Sequence, residues 1–393
     1  MTDNHQEHTA SNTLEWSRAG TSMMRVRTTK DANPAGLAMA MAPLLVDWTV
    51  SSPGFGPENF YLVHNVNVAS NALEGTSLLA TVRVPADGVE SVEFVIVKSK
   101  VAKIETDAGH VLLRFIFRDD KCPVILDPEG DPIANHASFK DLVLSWEAWR
   151  PPGTGYDPVA GLDPETYALT MRGFNGSVRC TADAILDRPW TCYPLQLPDV
   201  PDAAAEMLYV GLLLGDVVAR QTITTLLDRQ IKEGQNLPED YSTLDSGEWA
   251  ALKDWLEGED IPENPIQEIL DGKTRYHTLL RSCVTMALTT IDWANARIYR
   301  RALLPDPERI RVTPESLPSL VDDLAHGKRS AILARIPAAL HWLTRHQTVI
   351  PGRAWRLLDD VGLLQHRDGR VIEHHYDNRQ ESPYGRLEDH LIY

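Results

Sequence analysis

The residues best suited to chemistry crowd toward the C-terminus. Eight of the thirteen histidines lie at or after His277. Asp322 and His326 stand four residues apart, so on a helix they share a face. His341 and His346 are five apart and do not. His374 and His375, on a strand, point to opposite faces. A divalent-metal site drawn from this set gathers ligands from several segments: Asp322, His326, His341 and one of His374, His375 or Asp377. That site would serve a metal-dependent hydrolase or lyase, the alternative function class. No H-E-x-x-H run organises these residues, and no nucleophile elbow, Walker loop, kinase set or dinucleotide fingerprint is present. Gly54-Phe55-Gly56 lies in a proline-rich loop without the strand–glycine–helix unit that a phosphate cradle needs. Cys122, Cys180, Cys192 and Cys283 follow no metal spacing and read as reduced thiols. Cys180 and Cys192 could approach across a hairpin base. Cys283 falls mid-helix among apolar residues, where packing is the expected role.

The second chemical feature is arginine. Residues 273–393 hold 18 basic and 14 acidic residues, and 16 of the basic ones are arginine; residues 1–272 hold 20 basic against 41 acidic. Arginine suits bidentate pairing with carboxylate or phosphate. Within this third, 329–376 reads as two helices leading into VGLLQHRDGRVIEHHY, with Gly362-Leu363-Leu364 closing a helix and Arg367-Asp368-Gly369-Arg370 turning between two short strands. This order resembles a winged helix-turn-helix domain. The resemblance implies that the helix at 352–361, with Arg353 and Arg356, enters a major groove, and that Arg367 and Arg370 on the wing touch the backbone. Asp359 and Asp360 on that helix would repel phosphates. Winged helices also serve as protein-interaction modules.

The net charge of −17 argues against whole-surface binding to nucleic acid or anionic membrane. No stretch approaches the roughly 20 apolar residues that span a bilayer. The apolar run 35–46 is too short and too late for a leader and contains Pro43. These features predict a soluble cytoplasmic protein without membrane partners.

Elements must position these groups. Strand patterns recur at 59–69, 77–84, 91–106, 110–118 and 141–149. Val92, Phe94 and Ile96 alternate with Glu93, Lys98 and Lys100, as one half-buried face requires. Segments 167–174 and 177–186 flank Asn175-Gly176, a type I′ hairpin signal. A proline-rich linker, 194–202, then feeds the longest helix, 202–233, which is apolar almost all round in its first half and so should be buried on most sides. Gly211 and Gly215 would let another element approach it closely. Later helices are expected at 247–257, 273–303, 329–346 and 352–365.

The predicted fold class is α+β: an antiparallel β-rich, sandwich or barrel-like N-terminal domain followed by a mostly α-helical C-terminal domain. The predicted divisions are a flexible arm (1–34), the β-rich domain (35–197), the helical domain (198–380, winged-helix-like at 329–376) and a docking tail (381–393). The expected function is a non-catalytic structural or interaction protein that forms homo-oligomers, possesses no cofactor, and associates with nucleic acid through its arginine-rich third.

Overall fold

A computed structural model describes residues 45–47, 60–69, 77–97, 109–127, 129–133, 139–149, 160–162, 166–175, 190–197, 203–232, 276–278, 282–299, 351–376 and 390–391. The strands are β1 (Leu45–Asp47), β2 (Phe60–Ala69), β3 (Ser77–Pro85), β4 (Val89–Val97), β5 (His110–Phe117), β6 (Val124–Leu126), β7 (Asp141–Trp149), β8 (Ala168–Phe174), β9 (Trp190–Pro194), β10 (His366–Arg367), β11 (Arg370–Val371), β12 (His374–Tyr376) and β13 (His390–Leu391). The helices are α1 (Ala203–Lys232), α2 (Cys283–Tyr299) and α3 (Pro351–Asp360).

Eleven strands form one sheet in the order β13-β12-β9-β4-β5-β7-β8-β2-β3-β6, with β1 added on β2. Neighbours are antiparallel except β2 and β8, which meet in parallel at Asn67 and Phe174. Strands β4 and β5 pair from Val89 with Phe117 to Val97 with His110, as their shared alternation predicts.

Directly opposed residues of neighbouring strands share a face. One face carries Phe94, Phe115, Leu144, Trp146 and Met171, all buried in a single core with all three helices. Helix α1 lies across this face and buries Met207, Leu208, Leu212, Leu213 and Leu214 almost completely. Burying each such side chain is worth about 1.5–3 kcal/mol. A Cβ on Gly211 would sit 3.0 Å from Leu144 Cδ1, so the glycine sets how closely α1 approaches the sheet.

Helix α2 begins at Cys283, well inside the stretch expected to be helical from 273. Upstream, the backbone is spent on the sheet end: Tyr276 N–H donates to Tyr167 O (3.0 Å) and Thr278 N–H to Gly161 O (2.8 Å). Ser282 then caps the helix, its N–H donating to Thr285 Oγ1 at 2.7 Å. Helix α3 ends in a Schellman turn. Leu363 N–H reaches Leu358 O (2.8 Å), Gly362 N–H reaches Asp359 O (2.9 Å), and Gly362 adopts φ 73°.

The two-part α+β expectation is overturned. The described structure is mostly β, built on one mixed sheet with three α-helices laid on it, and shows no clear split into a β half and a helical half. Strand β12, from the arginine-rich third, pairs with β9, and Leu364 bridges Leu195. The physical reason is burial: a helix apolar on most sides has to lie against another apolar surface, and here that surface is the sheet. Among the described residues, no helix is long and apolar enough to cross a membrane. Helices expected at 247–257 and 329–346, the strand at 177–186, and the N-terminal arm lie outside the described residues.

Candidate functional site

The second face of the sheet is also buried, and it is polar. Glu93, with its carboxylate in a strand expected to have one solvated face, is 2% exposed. Register places Glu93 and Arg114 opposite each other, with Phe174 on the same face. Trp190 joins that face through Val97 and His110. Trp190 on β9 and Phe174 on β8 are separated by β4, β5 and β7, a flat distance of about 19 Å at the usual strand spacing. Their rings nevertheless meet edge-on, with centroids 6.4 Å apart. The sheet therefore curls, with its polar face concave.

Two charged clusters line this concavity. In the first, Arg114 Nε donates to Asp141 Oδ2 (2.8 Å) and its Nη1 to Glu93 Oε2 (3.0 Å). His374 Nδ1 lies 3.4 Å from Glu93 Oε1. Burial alone would raise the Glu93 carboxyl; His374 and Arg114 outweigh it and hold the group below its usual range. The neighbouring Cys192 thiol is pushed well above its usual range, by burial first and then by the Glu93 charge.

The second cluster sits at the His110 end. His110 Nε2 and Ser145 Oγ are 2.7 Å apart, and Ser145 Oγ donates to Glu147 Oε1 at 2.7 Å. Because the hydroxyl proton goes to Glu147, Nε2–H is the donor to Ser145, which leaves Nδ1 as the basic nitrogen of a neutral ring. Arg172 Nη2 pairs with Glu147 Oε2. Burial would raise Glu147; Arg172 and His110 hold it below its usual range. Cys283, at the start of α2, is buried in the core of the helix-covered face. Burial would raise its thiol, but the His110 ring, its hydrogen bond, and the backbone of Val111 and Val284 lower it. The order on the concave face is guanidinium, carboxylate, hydroxyl, imidazole.

The arginines singled out from sequence occupy the surface. Arg356 on α3 and both Arg367 and Arg370 are exposed, and Arg353 is half-buried. Arg367 and Arg370 oppose each other in the β10–β11 hairpin. Asp368 (φ 52°) and Gly369 (φ 75°) make the tight turn read from sequence. His366 Nε2 lies 3.0 Å from Asp359 Oδ1, joining hairpin to helix. Trp355 stacks on Tyr193 at 5.4 Å, with Arg356 over the Trp355 ring at 5.7 Å.

Of the metal candidates, Asp322, His326, His341 and Asp377 lie outside the described residues. His374 and His375 take opposite faces of β12: His374 meets Glu93, and His375 Nδ1 lies 3.0 Å from Thr191 Oγ1. Among the described residues, no group of three or more His, Cys, Asp or Glu is gathered to hold a metal.

Sequence reasoning missed His110, Ser145, Glu147, Arg172 and the start of α2 at Cys283. The available signal was phase. Glu93, Arg114 and Arg172 each interrupt an otherwise apolar strand, and register brings those interruptions onto one face. No protein-family model, curated protein or solved structure matches the chain.

Proposed function

We propose that the chain is an interaction protein that assembles with copies of itself, with α3 and the β10–β11 hairpin as its contact surface. The observation that carries this reading is a surface of mixed sign held on a fixed frame. Arg353, Arg356, Arg367 and Arg370 stand beside Asp359, Asp360 and Asp368, while Leu364 and Gln365 tie the unit to Leu195 and Pro194. A patch bearing both signs is self-complementary under a two-fold axis. The same balance disfavours a polyanion, although the winged-helix resemblance would lay α3 in a groove.

Sedimentation velocity on the full chain tests the proposal. Association should rise with concentration, weaken with salt, and disappear in the triple variant Arg356→Glu, Arg367→Glu, Arg370→Glu. A monomer at every concentration in low salt would refute it. Tight binding of duplex DNA, falling steeply with salt, would replace it with the nucleic-acid reading.

A further inference from the structure

The β10–β11 hairpin forms a two-stranded sheet of its own, separate from the main one. At its base, Gln365 N–H donates to Pro194 O (3.0 Å), and Ile372 N–H closes on Gln365 O (2.9 Å). The side chain of His366, on β10, lies between two oxygens. Its Nδ1 is 3.1 Å from Leu364 O, and its Nε2 is 3.0 Å from Asp359 Oδ1 on α3. A carbonyl and a carboxylate both accept hydrogen bonds, so each ring nitrogen needs a proton to meet its partner. A neutral imidazole has one N–H and would turn a lone pair on the other oxygen. The arrangement therefore suits the imidazolium. The other charges around it are placed elsewhere. Arg367 and Arg370 oppose each other on the other side of the hairpin from His366 and Val371, with Asp368 in the turn between them. On α3, Arg356 lies over the Trp355 ring, and Arg353 and Asp360 are its remaining charges. From β9, the Tyr193 ring stacks on Trp355. Glu373, beyond the hairpin, stands 3.4 Å from His375 Nε2.

We propose that His366 is a proton-operated latch on the contact surface. Protonated, it fixes the arginine-bearing hairpin to α3; neutral, it releases the hairpin from the helix. The inference rests on the self-association reading, because it names how that same surface is regulated. Imidazole is the side chain whose charge changes between about pH 5 and 8. At the acid end of that range the ring carries both N–H groups, and both contacts stand. As pH rises one proton leaves, and Asp359 loses its donor. Arg367 and Arg370 are then no longer held beside Arg353 and Arg356, so self-association should be stronger in mild acid than in mild base. His366 is exposed and Asp359 half-buried, and such pairs contribute little to global stability. The latch therefore acts on the placing of the hairpin and not on folding.

Amide hydrogen exchange and sedimentation velocity on the full chain test the latch, each at about pH 5.5 and about pH 8 and at one ionic strength. After correction for the intrinsic exchange rate, protection of the Ile372 amide should fall about two- to fivefold from the acidic to the basic condition. Association should weaken in step. In His366→Gln and in Asp359→Asn, two surface changes that should leave the thermal melt nearly unmoved, Ile372 protection should be the same at both pH values. Equal protection at the two pH values in the wild type, or a difference that survives in both variants, would overturn the latch. A chain that stays monomeric while Ile372 protection still changes would refute the self-association reading and uphold the latch as a device of the hairpin alone.

Discussion

Cys192 and Cys283 are both hidden, at 0% and 6% exposure, and both belong to the same sheet-and-helix frame, yet their surroundings drive their thiols apart. Cys192 lies on a strand beside the Glu93 carboxylate, so burial and charge act together and keep it protonated. Cys283 opens a helix beside an imidazole, so the His110 ring and hydrogen bonds act against burial. The two clusters that set this difference share one design, a buried arginine neutralising carboxylate on the concave face. They differ in what the remaining histidine faces. His374 ends the first network against Glu93 and binds the C-terminal strand to the sheet, whereas His110 passes the second network on to a thiol. Burial alone therefore does not set the direction in which a thiol's pKa moves.

The comparison can be broken most forcefully at its arginines. Arg114 serves two buried carboxylates, so Arg114→Met should lie at the upper end of the ~3–5 kcal/mol that an orphaned buried charge costs. Arg172 serves one, and Arg172→Met should fall at the lower end. Urea unfolding measures both, and the reverse order would mean that the two networks are not built as described.

A smaller effect concerns pH. Glu93 is depressed in the fold, so its contribution to stability is complete above the ordinary glutamate value of 4.5 and is lost as pH falls through the depressed folded value. Stability of the wild type should decline on that acid limb, and Glu93→Gln should flatten the limb while lowering stability at neutral pH. An unchanged limb would remove His374 and Arg114 as the cause.

The smallest effect belongs outside both clusters. Gly369 holds φ 75° in the exposed hairpin, and Gly369→Val should cost only about 1–2 kcal/mol. Urea unfolding measures the loss, and a cost as large as that of Arg172→Met would contradict a turn that only joins two surface strands.

Much of the frame was legible in sequence. Strands β2 to β5 and β7, helix α1, and the Asp368-Gly369 turn stand close to where alternation, capping and turn chemistry place them. The joining of these elements was not legible. A strand pattern states which residues alternate but not what covers the second face, so Glu93 read as solvated when it is buried and paired. The start of α2 was hidden for another reason. No proline or glycine between 276 and 282 marks a helix start in the sequence, whereas in the fold Tyr276 and Thr278 bond to Tyr167 and Gly161. That displacement turned a mid-helix packing cysteine into one at a helix N-terminus beside His110. The metal set drew on Asp322, His326 and His341, outside the described residues, and on His375, which turns toward Thr191.

The central claim is that the His110 network, and not burial, decides the state of the Cys283 thiol. Ultraviolet absorbance of thiolate, followed through a pH titration of the native chain, measures this directly. The account predicts a Cys283 thiolate appearing below the ordinary thiol range, lost in Cys283→Ser and shifted upward in Ser145→Ala. Absorbance that rises only in the ordinary range, or that survives in Cys283→Ser, would contradict it.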